Sequence, residues 1–326
     1  MTPTTLRIAL AQIAPRLGQL EANLDRHLEL LEAARAEGAG LVVFPELGLT
    51  GYLLQDLAAE VALRLDDPRL GRLVAATGDL SAVVSFVEES ADHRIFIAAA
   101  LVEDGRIVHV HRKCYLPTYG LFDERRFFAA GDAVRAVPSR LGVGVGLAIC
   151  EDFWHLAVPA LLALDGAQLL INVSSSPGRD LAASHEVGLG TAASWRTLMR
   201  TYAQLTTSFV VYCNRVGVDE SISFWGGSEV IAPSGAAVFS APFYDEGLYG
   251  VEIDLADVRR ERIALPLLRD ERPELVVREL ERIIAERAGL AVDATGEVGP
   301  EGVDVHAGLG PFGRVRAAAR VEGGGR

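Results

Sequence analysis

The chain has 326 residues, half of them apolar, and a formal net charge of −13. Its length suits one large domain or two ordinary ones, and its acidic balance argues against nucleic acid or an anionic membrane as the main partner. Three scattered cysteines are too few for a disulfide framework or a zinc site. We find neither a signal peptide pattern nor an apolar stretch long enough to span a bilayer, and we therefore predict a cytoplasmic location.

Strand and helix patterns alternate along the whole chain, which favours one α/β domain. Short apolar runs predict strands over residues 7–13, 41–46, 82–86, 95–102, 107–111, 143–149, 169–173, 209–214, 229–232, 237–240 and 248–253. Helical spacing of apolar residues predicts helices over residues 17–38, 67–77, 157–164, 191–205, 254–262 and 273–288. The Asp104-Gly105 pair predicts a hairpin.

This order of elements predicts three segments. We expect a catalytic domain over residues 5–265, a C-terminal helix over 266–289, and a tail over 290–326 that is disordered or packs on a partner subunit.

Lys113 is the only lysine, while the other thirty of the 31 basic residues are arginine. An ammonium is a compact point charge that fits beside a developing oxyanion, whereas a guanidinium is a larger planar fork. A single retained lysine is therefore consistent with a site that requires an ammonium. The alternative is that one lysine among 31 cations is there by chance.

Cys150 follows the predicted strand 143–149 and precedes a helix, and such a corner is where α/β enzymes expose a nucleophile. We expect the helix N-terminus to favour a thiolate there. The alternative is an inert core thiol, which is our interpretation of Cys213.

Glu46 also ends a predicted strand, just after Pro45, where burial would raise its pKa and suit it to act as a general base. The alternative is a solvated glutamate at a strand end. Since Lys113 ends a third strand, a mainly parallel sheet would bring Glu46, Lys113 and Cys150 to one edge.

These three residue types together suit thiol catalysis of acyl transfer. Glu46 would accept the thiol proton, while Lys113 and the backbone amide of Glu151 would stabilise the oxyanion. Glu46 would then protonate the leaving amine and activate the water that hydrolyses a thioester. A cysteine–histidine pair is a poorer interpretation, because His155 lies five residues past Cys150 and is expected on the helix surface.

Segments 43–47, 112–117 and 149–154 resemble the three signature blocks of the nitrilase superfamily, the carbon–nitrogen hydrolases. The resemblance implies a four-layer α-β-β-α sandwich, a Glu46-Lys113-Cys150 triad, no metal or cofactor, and a homodimer formed through the helices next to the nucleophile. Glu124 matches a second glutamate that positions substrate in many members. Its alternative is a surface charge paired with Arg125 or Arg126.

Segments 48–57 and 115–124 further resemble the glutaminase domain of glutamine-dependent NAD synthetases. This resemblance implies that Tyr119, Ser176 and Arg179 hold the substrate near the nucleophile. We also predict that Glu124 and Glu151 are substrate-binding residues. Alternatively, Arg179 is a surface arginine paired with Asp180. We find no ATP-binding ligase segment with a phosphate-binding loop after the hydrolase segment, and we expect that this chain alone does not make NAD.

The predicted function is hydrolysis of a small linear amide or carbamoyl compound by a stand-alone amidase. Three alternatives stay open: a glutaminase subunit that supplies ammonia to a separate synthetase, a nitrile hydrolase, and a binding protein with a vestigial site. An intact Glu46, Lys113 and Cys150 set argues against the last of these.

Overall fold

The computed structural model describes residues 5–178 and 190–287. It contains fourteen strands and seven α-helices among the described residues. The strands are β1 (Thr5–Gln12), β2 (Leu41–Val43), β3 (Ser81–Glu89), β4 (Ile95–Glu103), β5 (Arg106–Arg112), β6 (Ala136–Pro138), β7 (Gly144–Ile149), β8 (Leu169–Ser174), β9 (Phe209–Asn214), β10 (Val216–Asp219), β11 (Ile222–Trp225), β12 (Glu229–Ile231), β13 (Ala237–Ser240) and β14 (Gly247–Asp254). The helices are α1 (Leu20–Ala36), α2 (Pro68–Thr77), α3 (Ala157–Leu164), α4 (Gly190–Thr206), α5 (Ala256–Ala264), α6 (Leu267–Asp270) and α7 (Pro273–Arg287).

Two six-stranded sheets form the centre of the fold. The first has the order β14-β1-β2-β3-β4-β5, and the second has the order β13-β12-β9-β8-β7-β6. Strands β1, β2 and β3 are parallel neighbours, as are β7, β8 and β9. The flanking pairs are antiparallel. Parallel pairs require crossover connections, and α1, α2, α3 and α4 lie in those connections.

Alternate residues of the strands enter two different cores. Val83 belongs to the core between the two sheets, as does Leu147 of the second sheet, whereas its neighbour Val84 belongs to the core under α1 and α2, which also contains Leu31 and Leu73. Successive strand residues point to opposite faces, so the apolar run of β3 is buried on both sides. Helices α3 and α4 contact the second sheet at β7 and β9. This is the four-layer α-β-β-α sandwich that the family resemblance implied, and the predicted fold class is confirmed.

Sequence patterns predicted most strands but missed β6 and the β10–β11 hairpin. β6 ends on Pro138 at the edge of its sheet, and a proline within an apolar run is a signal against a strand. The turn between β10 and β11 places Glu220 at φ +53°, a conformation usually marked by glycine or asparagine. In contrast, Asp104 and Gly105 both have positive φ, and the hairpin they predicted joins β4 to β5.

The chain divides into two compact units, Met1–Leu268 and Arg269–Arg326. The first contains both sheets, and the second contains α7, which lies inside the predicted segment 266–289. The predicted tail over 290–326 lies outside the described residues, and the three-segment division stays a prediction. No described helix has the length and apolar character needed to cross a membrane.

Candidate active site

The three predicted catalytic residues follow the carboxyl ends of three strands. Glu46 comes three residues after β2, Lys113 directly after β5, and Cys150 directly after β7. β2 is parallel to β3, and two antiparallel pairings then connect β3 to β5, so β2 and β5 run in the same direction. Their carboxyl ends therefore lie at the same edge of the first sheet, facing the β7 end of the second.

Lys113 lies between two carboxylates in a site closed to solvent. Its Nζ donates to Glu46 Oε1 and to Glu124 Oε1, both at 2.7 Å, and its side chain is 1% exposed. Burial alone would lower the pKa of this ammonium, but Glu124 and Glu46 outweigh it and hold the pKa well above its usual value. Lys113 is therefore a fixed cation, and the structure brings together three of the residues predicted from sequence.

Cys150 occupies a strained corner at the end of β7. Its φ is +45°, which is rare for a non-glycine residue, and its Sγ lies 3.2 Å from Ser174 Oγ. Burial raises the pKa of the thiol well above its usual value, and Glu46 adds to this, while Lys113 opposes it. Burial therefore opposes the thiolate that we expected a helix N-terminus to favour, and Cys150 begins only the short 3₁₀ turn Cys150–Trp154.

Glu124 is buried, so the alternative that it is a surface charge paired with Arg125 or Arg126 is wrong. Besides Lys113, it accepts a hydrogen bond from the Tyr52 hydroxyl. Burial raises the pKa of Glu124 to about 7, with Lys113 opposing that rise. Tyr52 had no predicted role, since it lies 72 residues from Glu124 in sequence, and an aromatic residue after a strand carries no signal of such a partner.

Glu46 is anchored to the second sheet. Its Oε2 accepts from the backbone N–H of Ser175 at 2.8 Å, and its backbone carbonyl accepts from the Ser175 hydroxyl at 2.8 Å. Ser175 directly follows β8. The two sheets are thus joined by hydrogen bonds at the point where the candidate general base lies, which fixes Glu46 relative to Cys150.

Asp152 connects the ends of β5 and β7, and sequence reasoning gave it no role. Its Oδ1 accepts from the backbone N–H groups of Cys114 and Tyr115, both at 3.0 Å. Its Oδ2 accepts from the N–H of Ile149 at 3.0 Å and contacts His111 Nε2 at 2.8 Å. Asp152 therefore holds the residues on either side of Lys113 against the residue that precedes Cys150.

His111, Cys114 and Asp152 also bring three donor atoms within 4.8 Å of one another, a grouping with some likeness to a metal site. The Asp152 carboxylate already accepts three backbone N–H groups, and Cys114 Sγ contacts the Arg112 and Ala133 carbonyls. A metal would have to displace these contacts, so we assign the cluster a structural role.

Cys150 opens on a cavity of about 270 Å³. The cavity is lined by four aromatic side chains and by polar groups, among the described residues Tyr119, Phe122, Cys150, Glu151, Trp154, Ser176, Pro177, Gly190, Thr191, Ser194 and Trp195. A mainly apolar, aromatic cavity with a few polar groups is typical of a small-molecule site.

The predicted substrate-binding residues fall in different places. Tyr119 donates to the Glu151 carboxylate at 2.9 Å, and both line the cavity. Ser176 also lines it and accepts from Trp195 Nε1 at 2.8 Å. Glu124 instead contacts Lys113. Arg179 lies outside the described residues, and its role stays a prediction.

His155 stacks on Tyr115, with ring centroids 3.5 Å apart, and its Nε2 lies 3.9 Å from Glu151 Oε1. Burial lowers the pKa of His155. The His155 ring thus packs on Tyr115, which is consistent with our interpretation that a cysteine–histidine pair is the poorer explanation of this site.

The carbon–nitrogen hydrolase family model matches residues 7–262. Since this covers most of the chain and includes all three strand-end residues, the chain belongs to the carbon–nitrogen hydrolases, enzymes that act on carbon–nitrogen bonds other than peptide bonds. The family predicted from the sequence motifs is therefore confirmed.

Relatives of two kinds are similar to the chain. The glutamine-dependent NAD(+) synthetase of Thermotoga maritima is 36% identical over 265 residues, which are 80% of this chain and 44% of that protein. The chain thus spans less than half the length of this curated relative. A carbon–nitrogen hydrolase from Helicobacter pylori matches with a TM-score of 0.73 and 26% identity, covering 84% of this chain and 97% of that one.

An amidase of the nitrilase superfamily from Nesterenkonia sp. AN1 also matches, with a TM-score of 0.68 and 25% identity. The match covers 83% of this chain and 95% of the amidase. A variant of that amidase carries a covalently added acetamide moiety of fluoroacetamide at its active-site cysteine.

Proposed function

We propose that this chain is a thiol amidohydrolase that cleaves the carbon–nitrogen bond of a small linear amide or carbamoyl compound and releases ammonia or an amine. The observation that carries the proposal is the placement of Cys150 at the cavity, beside Lys113 held between Glu46 and Glu124. A buried thiol next to a carboxylate and a fixed ammonium has what acyl transfer requires.

In the proposed mechanism, Glu46 accepts the Sγ proton as Cys150 bonds to the amide carbon. Lys113 and the backbone N–H of Glu151 stabilise the resulting oxyanion. Glu46 returns the proton to the nitrogen, the carbon–nitrogen bond breaks, and a thioester remains. Glu46 then takes a proton from water as the hydroxide adds to the thioester carbon. The second oxyanion collapses, and the departing sulfur recovers the proton from Glu46.

Glu124 has the proposed role of positioning both Lys113 and substrate. Its Oε2 is buried and has no hydrogen-bond partner among the described residues, whereas Oε1 contacts Lys113 and Tyr52. An open acceptor at this point suits the N–H of a substrate amide, because a buried acceptor without a partner is costly.

The cavity residues favour a substrate with a charged or polar end. Glu151 presents a carboxylate whose pKa is raised by burial, with Tyr119 lowering it in part. A substrate ammonium would stabilise this partly desolvated carboxylate. Ser176 and Arg179 are the proposed contacts for the other polar groups of the substrate, with Arg179 suited to a carboxylate.

A glutaminase subunit that supplies ammonia to a separate synthetase is the second candidate. It is favoured by the similarity to glutamine-dependent NAD(+) synthetases, of which the chain covers 44% in the Thermotoga maritima protein. A nitrile hydrolase is a third candidate, but the amidase of Nesterenkonia sp. AN1 favours an amide substrate.

Ammonia release from glutamine, asparagine, ω-amides, carbamoyl amino acids and simple nitriles would test the proposal. We expect turnover of one of the amide or carbamoyl groups and little turnover of nitriles. Slow glutamine hydrolysis that an added synthetase strongly stimulates would favour the glutaminase subunit. Turnover of nitriles alone would contradict the amidase proposal.

We also propose a homodimer formed through α3 and α4, next to Cys150. Leu156, Leu161 and Leu164 are exposed at α3, and Leu205 is exposed on α4, and apolar surface of this kind marks interfaces. Sedimentation velocity should give a dimer that Leu161→Arg dissociates. A monomeric wild-type protein at micromolar concentration would refute the interface. The cytoplasmic location stays a prediction.

A further inference from the structure

Ser174 lies beside the candidate nucleophile because of the strand register. β7 and β8 are parallel, and Ile149 pairs with Val173. The residue after Ile149 is Cys150, and the residue after Val173 is Ser174, so the register places these two side by side. Ser174 is fully buried, and its Oγ lies 3.2 Å from Cys150 Sγ. This is hydrogen-bonding distance for a sulfur atom, and the proposed roles of Glu46 and Lys113 make no use of it.

Tyr212 contacts the Ser174 hydroxyl from the neighbouring strand, and it also hydrogen-bonds to Ser176. It lies on β9, and its hydroxyl donates to Ser174 Oγ at 3.4 Å. Burial raises the pKa of this phenol well above its usual value, so it keeps its proton. When Tyr212 donates to Ser174, the hydrogen of Ser174 is left for the sulfur.

We propose that Ser174 is a catalytic residue that donates a hydrogen bond to the Cys150 sulfur as it becomes negative, with Tyr212 positioning the Ser174 hydroxyl. This inference rests on the proposed role of Cys150 as nucleophile. When Glu46 takes the thiol proton, the charge on sulfur develops at a largely buried position, where a directed donor is worth more than in solution. Lys113 supplies the cation and Ser174 the hydrogen bond.

The opposite polarity, in which the thiol donates to Ser174, predicts the opposite result. If Ser174 stabilises the thiolate, its removal raises the pKa of Cys150 and slows alkylation. If Ser174 accepts from the thiol, its removal makes the thiolate easier to form and speeds alkylation. The sign of the change therefore distinguishes the two.

The test is alkylation of Cys150 by iodoacetamide at fixed pH, followed by peptide mass spectrometry. We expect Ser174→Ala to slow alkylation by about 3- to 20-fold. Losing one hydrogen bond to the charged sulfur raises the pKa of Cys150 and lowers the thiolate fraction. The more basic thiolate is also a better nucleophile, which offsets part of this loss. The matched control is Ser208→Ala, which removes a buried serine hydroxyl bonded to the Ala167 and Thr206 carbonyls and should leave the rate unchanged. An unchanged or faster rate in Ser174→Ala overturns the proposal.

Tyr212→Phe provides a second test that keeps the Ser174 side chain and the aromatic packing. We expect slower alkylation, in the same direction as Ser174→Ala but smaller. Its control is Tyr202→Phe, which removes a buried hydroxyl without a hydrogen-bond partner among the described residues. A Tyr212→Phe rate equal to that of the control would show that Tyr212 does not direct Ser174. Alkylation needs no substrate, so these results do not depend on the proposed function. That function is tested separately, by asking whether the Cys150→Ala variant still hydrolyses an amide.

Discussion

Lys113 has a chemical reason to differ from the other thirty cations of the chain. It is buried, and its ammonium donates to Glu46 and Glu124 at 2.7 Å each. A guanidinium at this position would be larger and would direct its donors in a fixed plane. The site thus has room and partners for a compact cation, as the retention of a single lysine predicted.

Lys113→Arg should lower kcat/KM by about 100- to 1000-fold, the usual cost of a lost oxyanion donor, while retaining the positive charge. Steady-state ammonia release measures the loss. The matched control is the reverse exchange next to it, Arg112→Lys. Arg112 forms two hydrogen bonds with Glu88, at 2.8 and 2.6 Å, so we expect this variant to lose stability and keep its activity within a few-fold. Near wild-type activity in Lys113→Arg would show that an ammonium is not required.

Sequence patterns predicted Glu46, Lys113 and Cys150 because each directly ends a strand or follows one closely. Asp152 and Ser174 also lie at or just after strand ends, but this position alone gave no reason to choose them, and Tyr52 lacks even that signal. The partners of Tyr52, Asp152 and Ser174, which are Glu124, Cys114 and Cys150, lie 72, 38 and 24 residues away in sequence, and hydroxyl and carboxylate groups of this kind are common at strand ends. Only the register of the strands and the packing of the sheets brings them to the site.

Asp152 shows how elements are held together at the site. The strand β7 and the segment after β5 belong to different sheets, and the Asp152 carboxylate accepts N–H groups from both. Strand β5 places Lys113, and β7 places Cys150. The relative position of the two functional groups therefore depends on a carboxylate that hydrogen-bonds to their chain neighbours, Cys114, Tyr115 and Ile149.

Asp152→Asn should lower the free energy of unfolding by about 2 to 4 kcal/mol, because the amide nitrogen cannot accept a backbone N–H and leaves a buried donor unpaired. We expect kcat/KM to fall as well, since Lys113 and Cys150 would shift apart. Chemical denaturation and ammonia release measure the two effects. Asp66→Asn, at a largely exposed carboxylate, is the control and should change neither. A stable and fully active Asp152→Asn would contradict this role.

Helix α1 of the outer layer contacts the segment of the first sheet that leads to the candidate site. His27 of α1 is fully buried, and its ring stacks on Phe44, with centroids 4.0 Å apart, in the segment that leads to Glu46. Burial lowers the pKa of His27 from 6.5 to about 4. The folded protein therefore keeps this imidazole neutral over a pH range in which the unfolded chain protonates it.

This difference predicts that acid weakens the fold. Below pH 6.5 the unfolded state binds a proton that the folded state does not bind until about pH 4, so stability falls as the pH is lowered through this range. From pH 7 to 4.5 the contribution of His27 is about 2.5 kcal/mol. His27→Gln should reduce the pH dependence of the unfolding free energy by about this amount. An unchanged dependence would mean that burial does not lower the pKa of His27 in the folded protein.

The central claim is that Cys150 forms a thioester with an amide substrate. The most direct measurement is mass spectrometry of protein quenched in acid during turnover of the best amide found in the ammonia-release panel. We predict an added acyl mass on the peptide that contains Cys150, and neither adduct nor ammonia release from a folded Cys150→Ala variant. Hydrolysis by Cys150→Ala at the wild-type rate would contradict the claim.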